Sequence, residues 1–534
     1  MLGILGSLGV VAVGVSLPPS VWPPPRSASC SGSAAGSAFS SALSFNFSGL
    51  GGSSSIAHNA SARFLPILID GGSETGEITS VSVAVRAADE TLGFSTDYAY
   101  EVSVDGCAVH VSAASPYGVA YGLETLSQFI VHGVNGAELQ CGTISVVDAP
   151  AFAHRGLSID TARRFYPIEL IQQTMVGMAM NKLNVLHMHL SDSPCFRVES
   201  KTYPQLALKC PMVKGTLNED GMFYSHEDIA ALVAFARARG IRIIPEFDIP
   251  GHAGGMCANL KDEGLQCCLH TGPRGNDDQM VNDAAGAGLK VVKAIFTEMA
   301  ALFPDEVMHV GCDETTVVGL CTMNGTLSFE EEILKHVISL GKKPTAWEEA
   351  LVTGAARVAP SMTLQLWVPS KATRVKWSDA TQAGFNVLRS DFNLFYMDYD
   401  RRSTAQKTWL NITADQPATF EQTQRVHGGE AAMWGDAYTQ ESRKGGGGGC
   451  MFPGSRDADF TESIHGCIWP RAAFAAGSWW GFNNHTKDLD EATFNATVSR
   501  LLSRGVASCP CSNLTTNGCS QSQRCGKPFC PTSA

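Results

Sequence analysis

Apolar residues alternate with polar ones at Val81, Val83 and Val85 and again at Tyr100, Val102 and Val104, a period of two that predicts half-buried strands. Asp105-Gly106 then offers a tight turn and Val109 and Val111 resume the alternation, so the later runs predict a hairpin. Ser115-Pro116 opens a helix, with serine as N-cap, proline in the first turn, and Val119, Leu123, Leu126 and Ile130 on one face. Strands covered by one helix predict a small α+β domain over 64–150. Before it, 17–63 is rich in Ser, Gly, Ala and Pro and lacks Asp, Glu and Lys, which reads as a flexible leader.

After Asp148-Ala149-Pro150 the pattern changes to apolar strands alternating with amphipathic helices. Strands are expected at Gly156–Ile159, Leu183–Leu190, Ile241–Phe247, Val307–Gly311, Pro344–Trp347, Thr363–Trp367, Asn386–Arg389 and Gly429–Met433, and helices at Ile168–Asn181, His226–Arg239, Ala287–Leu302 and Phe329–Leu340. Eight strands with helices between most of them predict an α/β fold, a (β/α)8 TIM barrel over 151–505 rather than an open sheet. No GxGxxG follows an early strand, which weakens a dinucleotide-binding reading. Gly445–Gly449 reads as a loop, and another helix is expected from about Pro470.

Composition narrows the partners. The 534 residues carry 39 basic and 51 acidic side chains, a net charge of −12, and only 17% are charged against 44% apolar, which excludes global disorder. An acidic chain without a long Lys/Arg block is not a dedicated nucleic-acid binder. Residues 1–16 are apolar and uncharged but too few to cross a bilayer, so they read as a signal peptide, and the mature chain is expected not to span a membrane. Sequons at Asn46, Asn59, Asn324, Asn411, Asn484, Asn495 and Asn513, and a Cys-rich tail at 506–534, agree with export to an extracellular, lysosomal or vacuolar compartment. Seventeen cysteines leave at least one thiol free or paired between chains.

Working residues of such barrels sit where strands end. Here those ends are polar: Asp160, then His187, His189 and Asp192, then Glu246, Asp248 and His252, then Asp313 and Glu314. Trp347, Trp367 and Trp434 close later strands and suggest an aromatic box for a sugar face. Adjacent carboxylates can turn toward one pocket where a strand breaks, and their repulsion drives one to keep its proton, as acid catalysis requires. Carboxylates with an aromatic box point to glycoside hydrolysis. A competing reading is a metal-dependent hydrolase using His187 and His189, with His252 and Asp313 completing the site.

The ordered motifs His154-Arg155-Gly156-Leu157 with Asp160-Thr161-Ala162-Arg163, Asn181 to His189, Pro245 to His252, His309-Val310-Gly311-Cys312-Asp313-Glu314 and Gly428 to Asp436 resemble the family 20 glycoside hydrolases, the β-N-acetylhexosaminidases. The resemblance covers about 64–480. It implies a retaining exo-enzyme acting on glycans that end in N-acetylhexosamine, with no cofactor and a homodimer as one option for its assembly. It implies Glu314 as general acid/base and Asp313 as the residue that orients the substrate's acetamido group for attack on the anomeric carbon. Tyr396 matches the tyrosine bonded to the acetamido oxygen, Arg155 the arginine gripping O3 and O4, and Asp398 and Asp436 the acids near O4 and O6. Asp192 and His252 match a pair supporting the acid/base, and Trp347, Trp367 and Trp434 would wrap the ring. It also implies that Cys321 pairs with Cys267 or Cys268. Two departures stand close to the site: Ser193-Pro194-Cys195-Phe196 after Asp192, and Cys312 where the family usually has Gly. A lectin without turnover is the alternative class, and would predict loss of Asp313, Glu314 or Tyr396; all three are present.

Overall fold

The computed structural model describes residues 21–32, 38–133, 136–193, 195–210, 221–268, 279–280, 286–315, 322–368, 375–398, 424–435, 460–481, 491–506 and 508. Residues 1–16, Gly445–Gly449 and nearly all of the tail lie outside them. Contacts divide the described residues into two compact units, one comprising 21, 25–88 and 99–148, the other 22–24, 89–98 and the chain from 149 onward.

In the first unit, β1 (Ser27–Ser31), β2 (Phe39–Gly49), β3 (Ile78–Val85), β4 (Tyr100–Asp105), β5 (Ala108–Ala113) and β8 (Thr143–Asp148) form one sheet in the order β1-β8-β4-β5-β3-β2. A separate ribbon pairs β6 (Ile130–Gly133) with β7 (Gly136–Leu139). The expected hairpin is β4–β5, and Gly106 turns it in the left-handed region at φ 58°. Helix α2 (Pro116–Ser127) starts at Ser115 with proline in its first turn, and it ends before Ile130, which opens β6 instead. Gly122 lets α2 approach the sheet closely, because a Cβ there would meet Val111 Cγ1 at 2.7 Å.

The leader reading of 17–63 is overturned. β1, β2 and α1 (Ser55–Leu68) occupy most of its described part. Its small residues hid a strand whose Phe39 and Leu43 are buried and whose Phe45 and Phe47 stand in register with Val81 and Val83 of β3. Ile56, Ala60, Phe64 and Leu68 are buried on α1, a four-residue spacing that packs one helix face, and Ser54 caps that helix by accepting from Ala57 N–H. A disulfide joins Cys30 of β1 to Cys141.

The second unit is a closed barrel of eight parallel strands: β9 (His154–Asp160), β10 (Val185–Ser191), β11 (Arg242–Ile249), β14 (Val307–Gly311), β15 (Lys343–Trp347), β16 (Thr363–Leu366), β17 (Asn386–Arg389) and β18 (Val426–Met433), which returns to β9. A short ribbon, β12 (Cys267–Cys268) with β13 (Gln279–Met280), lies between β11 and β14. Every residue of β9, β10 and β11 is buried, as strands covered on both faces must be. The surrounding helices include α3 (Ile168–Met180), α4 (His226–Arg237), α5 (Gly254–Asn259), α6 (Ala287–Leu302) and α7 (Met323–Ser339). Ser225 and Asp228 close a capping box on α4. α7 begins six residues before the expected Phe329, because Thr322 caps it and carries it through the weak helix formers Asn324 and Gly325. The last described helices are Phe460–Ile468, Arg471–Trp480 and Glu491–Ser503.

Alternate strand residues divide the wall. Leu157, Ile159, Leu186, Met188, Phe247, Met308 and Val310 belong to the apolar cluster shared with the helices. Between them stand His187, His189, Glu246, His309, Gln365 and Glu430, all buried and largely in contact with one another across the interior. Most barrels of this kind fill that space with branched apolar residues.

One buried pair anchors β11. Arg242 donates through Nε and Nη2 to Asp305 Oδ2 and Oδ1, both at 2.7 Å, just before β14 begins. Asp305→Ala leaves a buried guanidinium with the Glu306 carboxylate 3.9 Å away, and should destabilise the protein by about 3–5 kcal/mol. Urea unfolding of the two proteins measures it; a loss below about 1 kcal/mol would show the pair to be structurally neutral.

Candidate active site

At the end of β14 the backbone leaves regular geometry. Gly311, Cys312 and Glu314 have φ values of 72°, 77° and 46°. Only glycine fits the first, since a Cβ there would lie 1.7 Å from Asp248 Oδ1. Cys312 and Glu314 hold left-handed conformations that side chains resist, a type of local strain that collects at functional sites. This break turns adjacent Asp313 and Glu314 toward one partner: His252 Nε2 stands 3.8 Å from Asp313 Oδ2 and 3.4 Å from Glu314 Oε2. Asp313 is mostly covered, whereas about half of the Glu314 side chain meets solvent.

Behind His252 stands Asp192. Its Oδ1 is 3.3 Å from His252 Nδ1, and its Oδ2 receives His189 Nε2 and Arg163 Nη2, each at 2.7 Å. Burial alone would raise the Asp192 carboxyl, but Arg163 and His252 overcome it and hold the group well below the usual range. Burial likewise opposes protonation of His252, and the charges of Asp192 and Asp313 reverse that and hold its proton well above the ordinary range. The result is a fixed anion–cation pair backing the two carboxyls. The residues that depart from the family pattern serve this loop: Ser193 Oγ accepts from Gly254 N–H at 3.0 Å, Cys195 O accepts from Asp192 N–H at 3.0 Å, and Cys195 is bridged to Cys210. Cys312 is a buried free thiol.

Asp248 faces Asp313 from β11. Burial, then the neighbouring Asp313 charge, push Asp248 well above the ordinary carboxyl range; burial also raises Asp313, opposed by His252. Asp248 is the member that keeps its proton, and Asp313 is left to ionise beside the imidazolium.

The aromatic residues form one cluster. Trp347 and Trp434 have ring centroids 5.8 Å apart, Tyr396 lies 5.8 Å from Trp434, and Trp367 stacks on Tyr396 at 6.2 Å with 5° between planes. Each ring is fixed from behind or beside. Trp347 Nε1 donates to Glu246 Oε1 at 2.7 Å, Trp367 Nε1 to Glu349 Oε2 at 3.2 Å, and the Arg163 guanidinium lies 5.6 Å from the Trp434 ring. Glu349, held to about 9 by burial and by the charges of Asp313 and Glu348, was not singled out in the sequence; its signal was the second carboxyl in Trp347-Glu348-Glu349. Asp398 is buried one residue beyond Met397, whose N–H donates to Ala432 O at 2.7 Å. Asp436 lies outside the described residues.

Arg155 is not at this site. It opens β9 at the opposite end of the barrel, where its Nε and Nη1 donate to Lys182 O at 2.8 Å and Phe152 O at 2.7 Å, and its guanidinium sits 5.1 Å from both the Tyr98 and Trp480 rings. A residue at the start of a strand cannot reach the loops at its end. The arginine that does reach them is Arg163, pinned by Asp160 at 3.0 Å and by Asp192, and its signal was the position three residues beyond the Asp160 that closes β9.

The metal reading places His187 and His189 with His252 and Asp313; among the described residues the donors fall instead into three groups, His187–Glu246–His309, His189–Glu246–Asp248 and Asp248–His252–Asp313, and none of them joins all four. Burial would lower both imidazoles, but Glu430 and Glu246 raise His187 to about 9, while Glu246 and Asp192 raise His189 to about 10. Both nitrogens of each ring face carboxylates within 3.1 Å, which favours the protonated form. Of the disulfide alternatives, Cys267 is excluded because it bridges Cys257. Cys268 is disulfide-bonded, and Cys321 lies outside the described residues.

Comparison with known proteins places this geometry in context. Residues 152–482 match the family model for glycosyl hydrolase family 20, catalytic domain. The β-hexosaminidase subunit beta of Felis catus is 31% identical over 438 residues, covering 78% of this chain and 76% of the relative; that of Sus scrofa is 27% identical over 462 residues, covering 81% and 79%. The fold is shared with the exo-β-N-acetylglucosaminidase of Vibrio harveyi, at a TM-score of 0.70 and 22% identity over 92% of this chain and 78% of that one. The chitobiase of Flavobacterium johnsoniae shares it too, at 0.71 and 22% over 91% and 73%. The family model spans well over half of the sequence, and the chain belongs to glycosyl hydrolase family 20.

Proposed function

We propose that this protein is a retaining exo-β-N-acetylhexosaminidase that removes terminal GlcNAc or GalNAc with the help of the substrate's own acetamido group. The observation that carries the reading is one imidazolium, His252, held by Asp192 and reaching both Asp313 and Glu314 beside the aromatic cluster. The names of the β-hexosaminidase relatives support it.

Glu314, the more exposed of the pair, protonates the departing glycosidic oxygen and later takes a proton from water. Asp313, ionised because Asp248 keeps the shared proton, accepts the acetamido N–H and stabilises the positive charge that develops as the carbonyl oxygen attacks the anomeric carbon. The attack closes an oxazolinium ring, so no enzyme nucleophile is used, as this family's place among the exceptions to the two-carboxylate scheme allows. Tyr396 hydrogen-bonds the acetamido oxygen, while Trp347, Trp367 and Trp434 enclose the methyl group and ring. Asp398 and Asp436 accept from the sugar's O4 and O6 hydroxyls. The grip on O3 and O4 falls to Arg163 in place of Arg155. The catalytic unit is the barrel within 151–505.

Export through the secretory route, to a lysosomal, vacuolar or extracellular site, is supported by the disulfides Cys30–Cys141, Cys195–Cys210 and Cys257–Cys267 and by the exposure of the sequon residues Asn46, Asn59, Asn324 and Asn495. Relatives named as alpha and beta subunits support an oligomer, and a homodimer is the simplest.

Glu314→Gln is expected to cost about 10²–10⁴-fold in kcat on natural oligosaccharides, yet far less on substrates whose leaving group departs unaided. Equal losses on both would remove the acid assignment. Asp313→Asn should lower kcat by about 10²–10³-fold on either substrate class, because the amide carries no charge to set against the oxazolinium. Steady-state kinetics with a nitrophenyl glycoside and with chitobiose separate the two patterns; a leaving-group dependence for Asp313→Asn like that of Glu314→Gln would contradict the division of roles.

A further inference from the structure

The carboxylate of Glu246 is fully buried on β11 and meets four groups from three other strands. Oε1 accepts from Trp347 Nε1 of β15 at 2.7 Å and lies 3.0 Å from His309 Nδ1 of β14. Oε2 lies 2.5 Å from His189 Nδ1 and 3.1 Å from His187 Nε2, both of β10. His187 is shared with Glu430 of β18 at 2.8 Å, and His189 passes the contact on to Asp192 at 2.7 Å. The other charged neighbours of His189 are Asp160 at the end of β9 and, through Asp192, Arg163.

We propose that Glu246 is a positioning residue for both halves of the site: Oε1 fixes the Trp347 indole that walls the sugar pocket, and Oε2, through His189 and Asp192, fixes His252 beside Asp313 and Glu314. One carboxylate thereby sets where the sugar rests and what charge stands behind the acid. This deepens the hexosaminidase reading and rests on its assignment of Glu314 and Asp313.

The two arms separate by substitution. Glu246→Gln retains an amide oxygen for the Trp347 N–H but removes the charge that helps hold the His189 proton. The His189 proton is then held less tightly, by Asp192 and Asp160 alone. The Glu246 charge is also one of those that raise the Asp313 carboxyl, so its loss lowers Asp313. Removing a nearby negative charge lowers a carboxyl pKa. Asp313 must be ionised for turnover, so the acid limb of the kcat/KM profile moves to lower pH, by about 0.5–1 pH unit, with KM close to that of the unaltered enzyme. Trp347→Phe removes the indole N–H together with part of the ring that walls the pocket, and leaves the Glu246 charge in place; it should raise KM several-fold and leave both limbs where they are.

The test is the pH dependence of kcat and KM for the full-length protein and these two variants, using a nitrophenyl N-acetyl-β-glucosaminide. Coincident profiles for Glu246→Gln and the unaltered enzyme, or a shift of the acid limb to higher pH, overturn the inference. Should Glu246→Gln fail to fold, ¹⁵N imidazole NMR of the unaltered protein decides: His189 should remain doubly protonated through pH 8, and a neutral ring at pH 7 overturns the inference. Failure of the underlying reading looks different, since Glu314→Gln would then lose its leaving-group dependence whatever Glu246→Gln does.

Discussion

The constraint on which this structure depends is that charge placed inside a closed barrel must be neutralised where it stands. Desolvating a carboxylate or imidazolium costs several kcal/mol, offset only by close partners of opposite sign. Here the partners alternate through the interior: Glu430 with His187, His187 with Glu246, Glu246 with His189, His189 with Asp192, and Asp192 with Arg163 and His252. These residues stand on four neighbouring strands, β18, β9, β10 and β11, or directly after them, so the strand register that closes the barrel also sets the charge balance. A stack of this kind resists reorganisation, the property an active site needs if its dipoles are to be in place before charge develops.

The stack ends at the strained segment after β14. Without the left-handed turn at Gly311 and Cys312, Asp313 and Glu314 would diverge to opposite faces as strand neighbours do. With it, the more covered carboxyl sits against Asp248 and the more exposed one meets solvent, so two chemically equivalent groups acquire different tasks from their surroundings. The aromatic cluster is tied to the same framework, since Trp347 hangs from Glu246, Trp434 meets His189 edge-on, and Trp367 is held by Glu348 and Glu349.

Much of this was legible in the sequence where period and chain order carry the information. All eight barrel strands appear in their expected order, because strands buried on both faces leave apolar runs between helical stretches. The Asp313-Glu314 pair and the three tryptophans were visible as polar and aromatic residues at successive strand ends. What escaped was what depends on depth along a strand or on partners distant in sequence. Arg155 lies beside Arg163 in the same motif, and only the direction of β9 tells which one faces the loops. Glu246 was visible among the strand-end carboxyls, but its four partners lie 57 to 101 residues away. The N-terminal strands escaped because serine and alanine can fill a strand face without the strong alternation that marks β3 and β4.

Substrate assistance is the central claim, and replacing the acetamido group by its mono-, di- and trifluoroacetamido analogues in a series of β-glucosaminides tests it most directly. Each fluorine withdraws electrons from the carbonyl oxygen without much change in size. If that oxygen attacks the anomeric carbon, log kcat/KM should fall steeply and linearly as fluorine is added. A rate indifferent to fluorination would mean that an enzyme carboxylate or a water molecule makes the attack, and the account given for Asp313 and Tyr396 would be wrong.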